Sequence, residues 1–185
     1  MNPTRRKFSA GVALWSAMPA AFAAGPSSTS IPSGYSAVAT EFRVPPAVLY
    51  GVALQESVML FGEPRRRTPL PWPWTLNIAG RPVRLPTRAV AEQQLRAALQ
   101  AGIDSVDIGP MGINWRYHKR RLLSIERSLD PYWNLRVGAG LLAGHFADCA
   151  DWAEAIGRYH SPANTARAAR YSALVLARLR RLGHA

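Results

Sequence analysis

The chain has little cysteine and few acidic residues, and each shortage restricts the kinds of site and cross-link that it can form. Cys149 is the only cysteine among 185 residues, so no disulfide can form within the chain and stability must come from an apolar core. A cysteine nucleophile needs a basic partner, and we interpret Cys149 instead as a small apolar residue near a helix end. Asp and Glu number eleven against 23 Lys and Arg, which limits any site built on paired carboxylates.

Long apolar runs are also scarce, and the one near the start has a recognisable layout. Arg5, Arg6 and Lys7 precede an apolar run over residues 9–22, which ends in the Ala-x-Ala pattern at Ala23. This layout predicts an export signal over residues 1–23, through either the twin-arginine or the general secretion route. The run is short for a permanent span, although an uncleaved anchor is the alternative, and no later run is long enough to cross a membrane.

The charge is strongly positive. The formal net charge is +12, and it is +9 once the three basic residues of the predicted signal are removed. Such a balance attracts polyanions, of which nucleic acid and an anionic cell-wall polymer are the two candidates. Export argues against nucleic acid, so we expect a wall polymer.

The remaining pattern predicts a mainly α-helical domain over residues 34–185, after a Ser-, Pro- and Gly-rich linker over residues 24–33. Residues 61–73 are expected to form a Pro- and Arg-rich loop. Residues 74–85 alternate around Ala79 and Gly80, which predicts one small β-hairpin with Pro82 in an edge strand. Thr87 is a predicted helix cap. The predicted helices cover residues 34–43, 45–57, 88–101, 117–129, 134–148, 151–159 and 164–182.

Glu56 is the first candidate for chemistry. Leu49, Val52 and Glu56 are spaced i, i+3, i+7 and share one face of the predicted helix. A carboxyl group on an inward helix face is poorly solvated, so its pKa should rise towards the range that a general acid needs. The alternative is an acid at a helix end that is paired with an arginine or half in water.

Two further segments contain polar groups suited to a sugar ligand. A glycine-rich loop runs from Gly109 to Asn114 and is followed by Trp115, whose indole can stack on a sugar face. Later, Tyr159 and His160 end a predicted helix. Taken singly, these elements are also consistent with a tight turn, a core tryptophan and a helix cap.

Taken together and in this order, the three segments resemble the motifs of the soluble lytic transglycosylases. These motifs are the Glu-Ser pair at Glu56, the Gly-x-Met-x-Ile-Asn stretch from Gly109 and the tyrosine at Tyr159. The segments following Asp130 and around Gly138 are similar to the link between the family's second and third motifs. The Trp-rich insert and the sequence after Ile113 are most similar to members from conjugation, type IV secretion and pilus-assembly loci.

The resemblance implies a lysozyme-like helical fold in an exported, periplasmic enzyme that cleaves peptidoglycan glycan strands. Glu56 would be the single catalytic acid and base, with no cofactor and no metal. Ser57 would polarise the substrate acetamido group or position the sugar, Met111 would wall the cleft and Tyr159 would hold Glu56 by a hydrogen bond. The implied substrate-binding residues are Ser57, Gly109, Met111, Gly112, Ile113, Asn114, Tyr159 and His160. Secretion or conjugation proteins are the expected partners, and nucleic acid is not.

Two positions depart from the family pattern. Gly112 stands where the family usually has glutamine, and His160 stands where it usually has asparagine. The first change removes a polar contact to the sugar, and the second adds a group that titrates near pH 6 to 7.

Two other functions therefore stay open. A second acid across the cleft, with Asp104 and Asp107 as candidates, would favour a muramidase that hydrolyses the same bond. A degraded site at Gly112 would favour a non-catalytic wall-binding or assembly protein.

Overall fold

The computed structural model describes residues 30–184. The predicted export signal over residues 1–23 and most of the predicted linker lie outside the described residues. Within residues 30–184, no helix combines the length and apolar character that a membrane span requires.

The described residues form a mainly α-helical structure, as predicted. Most helices begin where a polar side chain accepts a hydrogen bond from the backbone N–H three residues later. Thr87 caps a helix in this way, as predicted, and Asp151 and Asn164 cap two others. The helices are α1 (Ser33–Glu41), α2 (Pro46–Ser57), α3 (Arg88–Gln100), α4 (Trp115–Leu122), α5 (Ile125–Ser128), α6 (Pro131–Cys149), α7 (Trp152–His160) and α8 (Thr165–Arg181).

Two predicted helices differ clearly from the observed helices in where they begin or end. The helix predicted over residues 117–129 is divided, because Leu123 has a positive φ of 68° and Ser124 caps a new helix by accepting from the N–H of Arg127. The helix predicted over residues 134–148 begins earlier, because Asp130 caps it and Pro131 occupies its first turn.

The β structure is larger than the single hairpin that the sequence predicts. A two-stranded sheet pairs β1 (Val58–Phe61) with β2 (Thr68–Pro71), and β2 lies within residues 61–73, the region expected to form a loop. A second sheet has the order β4-β3-β5-β6, with all pairs antiparallel. Its strands are β3 (Thr75–Ile78), β4 (Arg81–Arg84), β5 (Val106–Ile108) and β6 (Ile113–Asn114). The hairpin of β3 and β4 is the predicted one, and Pro82 lies in edge strand β4 as expected.

The prolines of β2 explain why the sequence pattern predicts a loop rather than a strand there. The N–H of Trp72 donates to the backbone oxygen of Ser57 at 2.9 Å, so alternate residues of this strand direct their N–H groups towards β1. Pro69 and Pro71 have the opposite parity, and their missing donors therefore cost no ladder hydrogen bond.

Helix α2 lies at the centre of the core. Every residue from Val48 to Leu54 is buried, so the helix is enclosed on all sides rather than along one stripe. Gly51 is the point of closest approach, since a Cβ there would lie 2.8 Å from the Cγ of Leu179 on α8. This contact brings α8 against α2 and fixes which α8 side chains reach the end of α2.

Gly157 on α7 forms the tightest helix crossing with α8. A Cβ at this position would lie 2.8 Å from the backbone oxygen of Ala168, which cannot move without displacing the helix. We expect Gly157→Ala to lower the free energy of unfolding by about 1–3 kcal/mol. Gly144 is the matched control, because a Cβ there meets nothing within 4 Å in the interior of α6. Gly144→Ala should raise stability by about 0.5–1 kcal/mol. Urea denaturation measures both, and equal effects would contradict the packing argument.

Candidate active site

Glu56 lies in the last turn of α2, between the turn that joins β5 to β6 and helix α8. The hydroxyl of Tyr171 on α8 donates a hydrogen bond to Glu56 Oε1. On the other side, a Cβ at Gly112 would lie 2.6 Å from Glu56 Oε2. The carboxyl group therefore lies between the phenol of Tyr171 and the backbone of Gly112, which has no side chain.

The environment of Glu56 favours its protonated form. Burial raises the pKa of Glu56 from 4.5 to about 7, and the negative charge of Asp107 adds to this effect, while the Tyr171 hydrogen bond opposes it. None of the five ion pairs found among residues 30–184 involves Glu56. The predicted rise in pKa is confirmed, and the alternative of an arginine-paired acid is wrong.

Glu56 is nevertheless accessible to a ligand. The side chain is half-buried and opens onto a cavity of about 380 Å³. His160 and Tyr171 line this cavity, and their rings stack with centroids 4.4 Å apart and planes 1° apart. An acid that holds its proton near neutral pH and faces an open cavity can donate that proton to a bound molecule.

His160 reaches the site, and its surroundings lower its pKa. Burial lowers the pKa of His160 below 6.5, with the charge of Asp107 opposing and that of Arg167 reinforcing the change. The imidazole is therefore mainly neutral at pH 7, and its stacking on Tyr171 supports the phenol that holds Glu56.

Asp107 is a second carboxylate at the site. Residues Asn77, Asp107 and Asn114 are paired across β3, β5 and β6, so their side chains form a row on one face of the sheet. The side-chain amide of Asn77 donates to Asp107 Oδ2 at 3.0 Å, and that of Asn114 donates to Asp107 Oδ1 at 2.7 Å. The charge of Asp107 acts on Glu56, Tyr159 and His160, so Asp107 lies near these three side chains. Asn114, predicted to bind a sugar, is thus engaged by Asp107.

Asp104, the other candidate for a second acid, is not part of the site. It forms an exposed ion pair with Arg116 at 2.7 Å. Trp115, predicted to stack on a sugar, instead packs against the hydrophobic core.

Three side chains that the resemblance assigns to the site make other contacts in the structure. Ser57 is fully buried and its hydroxyl contacts the backbone oxygens of Ala53 at 2.9 Å and Pro110 at 3.0 Å, so it ties α2 to the β5–β6 turn and does not touch a ligand. Met111 is also fully buried, packing against Gly138, and it cannot wall a cleft. The hydroxyl of Tyr159 donates to the backbone oxygen of Met111 at 2.6 Å, and Tyr171 takes the place at Glu56 that was expected for Tyr159.

The glycine-rich loop is a tight turn whose shape depends on Asn134. The side chain of Asn134 accepts from the N–H of Met111 at 2.9 Å and donates to Ile108 at 2.9 Å and to Ser128 at 3.2 Å. Gly109 leaves room for this amide, since a Cβ there would lie 2.6 Å from Asn134. Gly109 therefore admits a protein side chain rather than a ligand, and Ile113 is a core residue that is 1% exposed.

Sequence reasoning missed Tyr171 and Asn134 as site residues. Tyr171, Val175 and Leu179 follow the i, i+4, i+8 spacing of a core-facing stripe, and nothing in that pattern distinguishes a functional phenol from a packing residue. Asn134 is a polar residue in the first turn of α6 with no exposed surface, which only the folded structure reveals.

No metal site is present among residues 30–184, where no three His, Cys, Asp or Glu side chains cluster. The absence of a cofactor stays a prediction. No family model, curated protein or solved structure matches this chain.

The raised pKa of Glu56 predicts a pH-dependent stability. Because the folded state binds the Glu56 proton more tightly than the unfolded chain, this group destabilises the fold as pH rises from about 4.5 to about 7. We expect Glu56→Gln to be more stable than the wild type at pH 8, by about 1–3 kcal/mol, and equally stable near pH 4. Thermal denaturation at the two pH values measures this difference. A Glu56→Gln chain that is less stable at pH 8 would contradict the buried-acid assignment.

Proposed function

We propose that this chain is a peptidoglycan lytic transglycosylase with Glu56 as its acid and base. The observation that carries the proposal is a carboxyl group with a pKa of about 7 that faces an open cavity. A group of this pKa is protonated often enough to act as an acid and, once deprotonated, is basic enough to recover a proton at the same pH. A reaction that uses one residue in both roles suits such a group.

The reaction cleaves the β-1,4 bond between N-acetylmuramic acid and N-acetylglucosamine. Glu56 donates its proton to the glycosidic oxygen, and the bond from that oxygen to the muramic acid anomeric carbon breaks. The substrate's acetamido oxygen stabilises the resulting positive charge. The muramic acid 6-hydroxyl then bonds to the anomeric carbon, and its proton returns to Glu56. The products are a new N-acetylglucosamine end and a 1,6-anhydro end, with no water consumed.

Protein groups around Glu56 support this cycle. Tyr171 donates to Oε1, so the proton to be transferred is expected on Oε2, the oxygen beside Gly112. Gly112 itself places no side chain over that oxygen. The resemblance in sequence and the central buried helix ending in an acid together support a lysozyme-like arrangement. We further propose that the chain is exported to the periplasm and opens the wall for a conjugation, secretion or pilus machine.

A muramidase on the same fold is the second candidate, and Asp107 is the observation that favours it. A hydrolase of this type places a second carboxylate across the scissile bond. Asp107 shares the site, although both of its oxygens accept hydrogen bonds from amides. These bonds fix its position and weaken it as a nucleophile, so we assign Asp107 the role of raising the pKa of Glu56.

Product analysis tests the proposal. Purified sacculi treated with residues 24–185 should release muropeptides with 1,6-anhydro ends, detected by mass spectrometry. Glu56→Gln should lower the rate at least about 10²-fold, because the amide has no proton of suitable acidity to donate. Ordinary reducing ends would favour the muramidase. Binding to sacculi with no soluble product would favour the non-catalytic wall-binding protein.

Asp107→Asn separates the two enzymatic candidates. Asn77 and Asn114 each have a buried side-chain oxygen with no partner, so rotation of one amide can accept the new donor and preserve the row. We expect Asp107→Asn to keep 1,6-anhydro products and to move the alkaline limb of the pH–rate profile to lower pH, because a negative charge that raises the pKa of Glu56 is removed. Complete loss of activity with an unchanged fold would instead assign Asp107 as the second acid of a hydrolase.

A further inference from the structure

The cavity beside Glu56 has a cationic side that the proposed reaction does not use. Arg167 and Arg170 on α8 line it, together with Leu174. Residues 167, 170, 171 and 174 are spaced i, i+3, i+4 and i+7, so α8 presents both arginines on the same face as the phenol that holds Glu56.

These two guanidinium groups have no acidic partner. The ion pairs among residues 30–184 engage five other arginines, and Arg167 and Arg170 are in none of them. Both side chains are exposed. The charge of Arg167 reaches the cavity lining, because it lowers the pKa of His160.

The proposed reaction puts an anion in this place. The muramic acid ring must lie against Glu56, because its anomeric carbon reacts there. The stem peptide is attached through the lactyl group to the same ring, so it starts within one sugar of the Glu56 carboxyl. Stem peptides carry carboxylates, for which an arginine is a suitable partner.

Leu174 adds an apolar contact next to the arginines. It is 51% exposed, although Tyr171 and Val175 on the same helix are buried. An exposed leucine that lines the cavity together with two arginines matches a peptide that combines small apolar side chains with carboxylates.

Resting on the proposed function, we infer that Arg167 and Arg170 bind the stem-peptide carboxylates, so that the preferred substrate is a peptide-bearing glycan rather than a bare one. The arginines position the muramic acid by its peptide, while Glu56 acts on the glycosidic bond. The neutral form of Glu56 favours this pairing, because a substrate carboxylate that enters the cavity is then not repelled by a negative charge at that residue.

Equilibrium binding tests this inference without requiring turnover. Glu56→Gln serves as the background, and three soluble glycan oligomers serve as probes. The first carries stem peptides, the second carries the same peptides with their carboxylates converted to amides, and the third has the peptides removed by an amidase. We expect the background variant to bind the first probe about tenfold more tightly than the other two at low salt.

Adding Arg167→Gln and Arg170→Gln should reduce this preference to about twofold or less, with binding of the peptide-free probe unchanged. The matched control adds Arg180→Gln and Arg181→Gln, which remove the same charge from exposed positions at the far end of α8. This control should keep the tenfold preference. Thermal denaturation of all three proteins checks that α8 remains packed.

Three outcomes would overturn the inference: no preference in the background variant, a preference that survives loss of both arginines, or equal weakening by the control pair. Failure of the proposed function gives a different result. A protein that prefers the carboxylate-bearing probe through Arg167 and Arg170 but releases no 1,6-anhydro product retains the binding site and loses the enzymatic assignment.

Discussion

The structure is organised around the burial of one carboxyl group at the end of a helix that is itself enclosed. Placing Glu56 there opposes its ionisation, and the surrounding residues are those that tolerate the neutral form. Gly112 is one of them, because any Cβ would overlap Glu56 Oε2. A side chain at residue 112 would require the Glu56 side chain to shift from its present position.

The environment of Asp107 differs from that of Glu56. Its carboxylate is held by two neutral amides rather than by a cation, so its negative charge stays uncompensated and acts on the groups facing the cavity. An arginine in place of either asparagine would cancel that charge and remove its effect on Glu56. The two acids thus differ in environment: Glu56 is favoured in its protonated form, and Asp107 acts on it as a negative charge.

Local signals in the sequence predicted the helical frame and the position of the acid. The periodic spacing of Leu49, Val52 and Glu56 identified α2, and Thr87 marked the start of α3, because both signals act within a few residues. The strands β5 and β6 have three and two residues, too few for alternation to be visible, and the prolines of β2 resemble a loop. The tyrosine that contacts Glu56 is Tyr171 rather than the expected Tyr159, for a different reason. Which tyrosine reaches Glu56 depends on the face of α8 that packs on α2, and that is decided by the contact between Gly51 and Leu179.

The hydrogen bond between Tyr171 and Glu56 joins residues 115 positions apart in the chain. A contact of such separation closes a long loop, so the site depends on the packing of the helices between the two residues. Until then residue 56 carries an ordinary glutamic acid, which is ionised at neutral pH and has no proton to give. The raised pKa of Glu56 is therefore a property of the completed fold, and a newly made or partly unfolded copy of this chain lacks it.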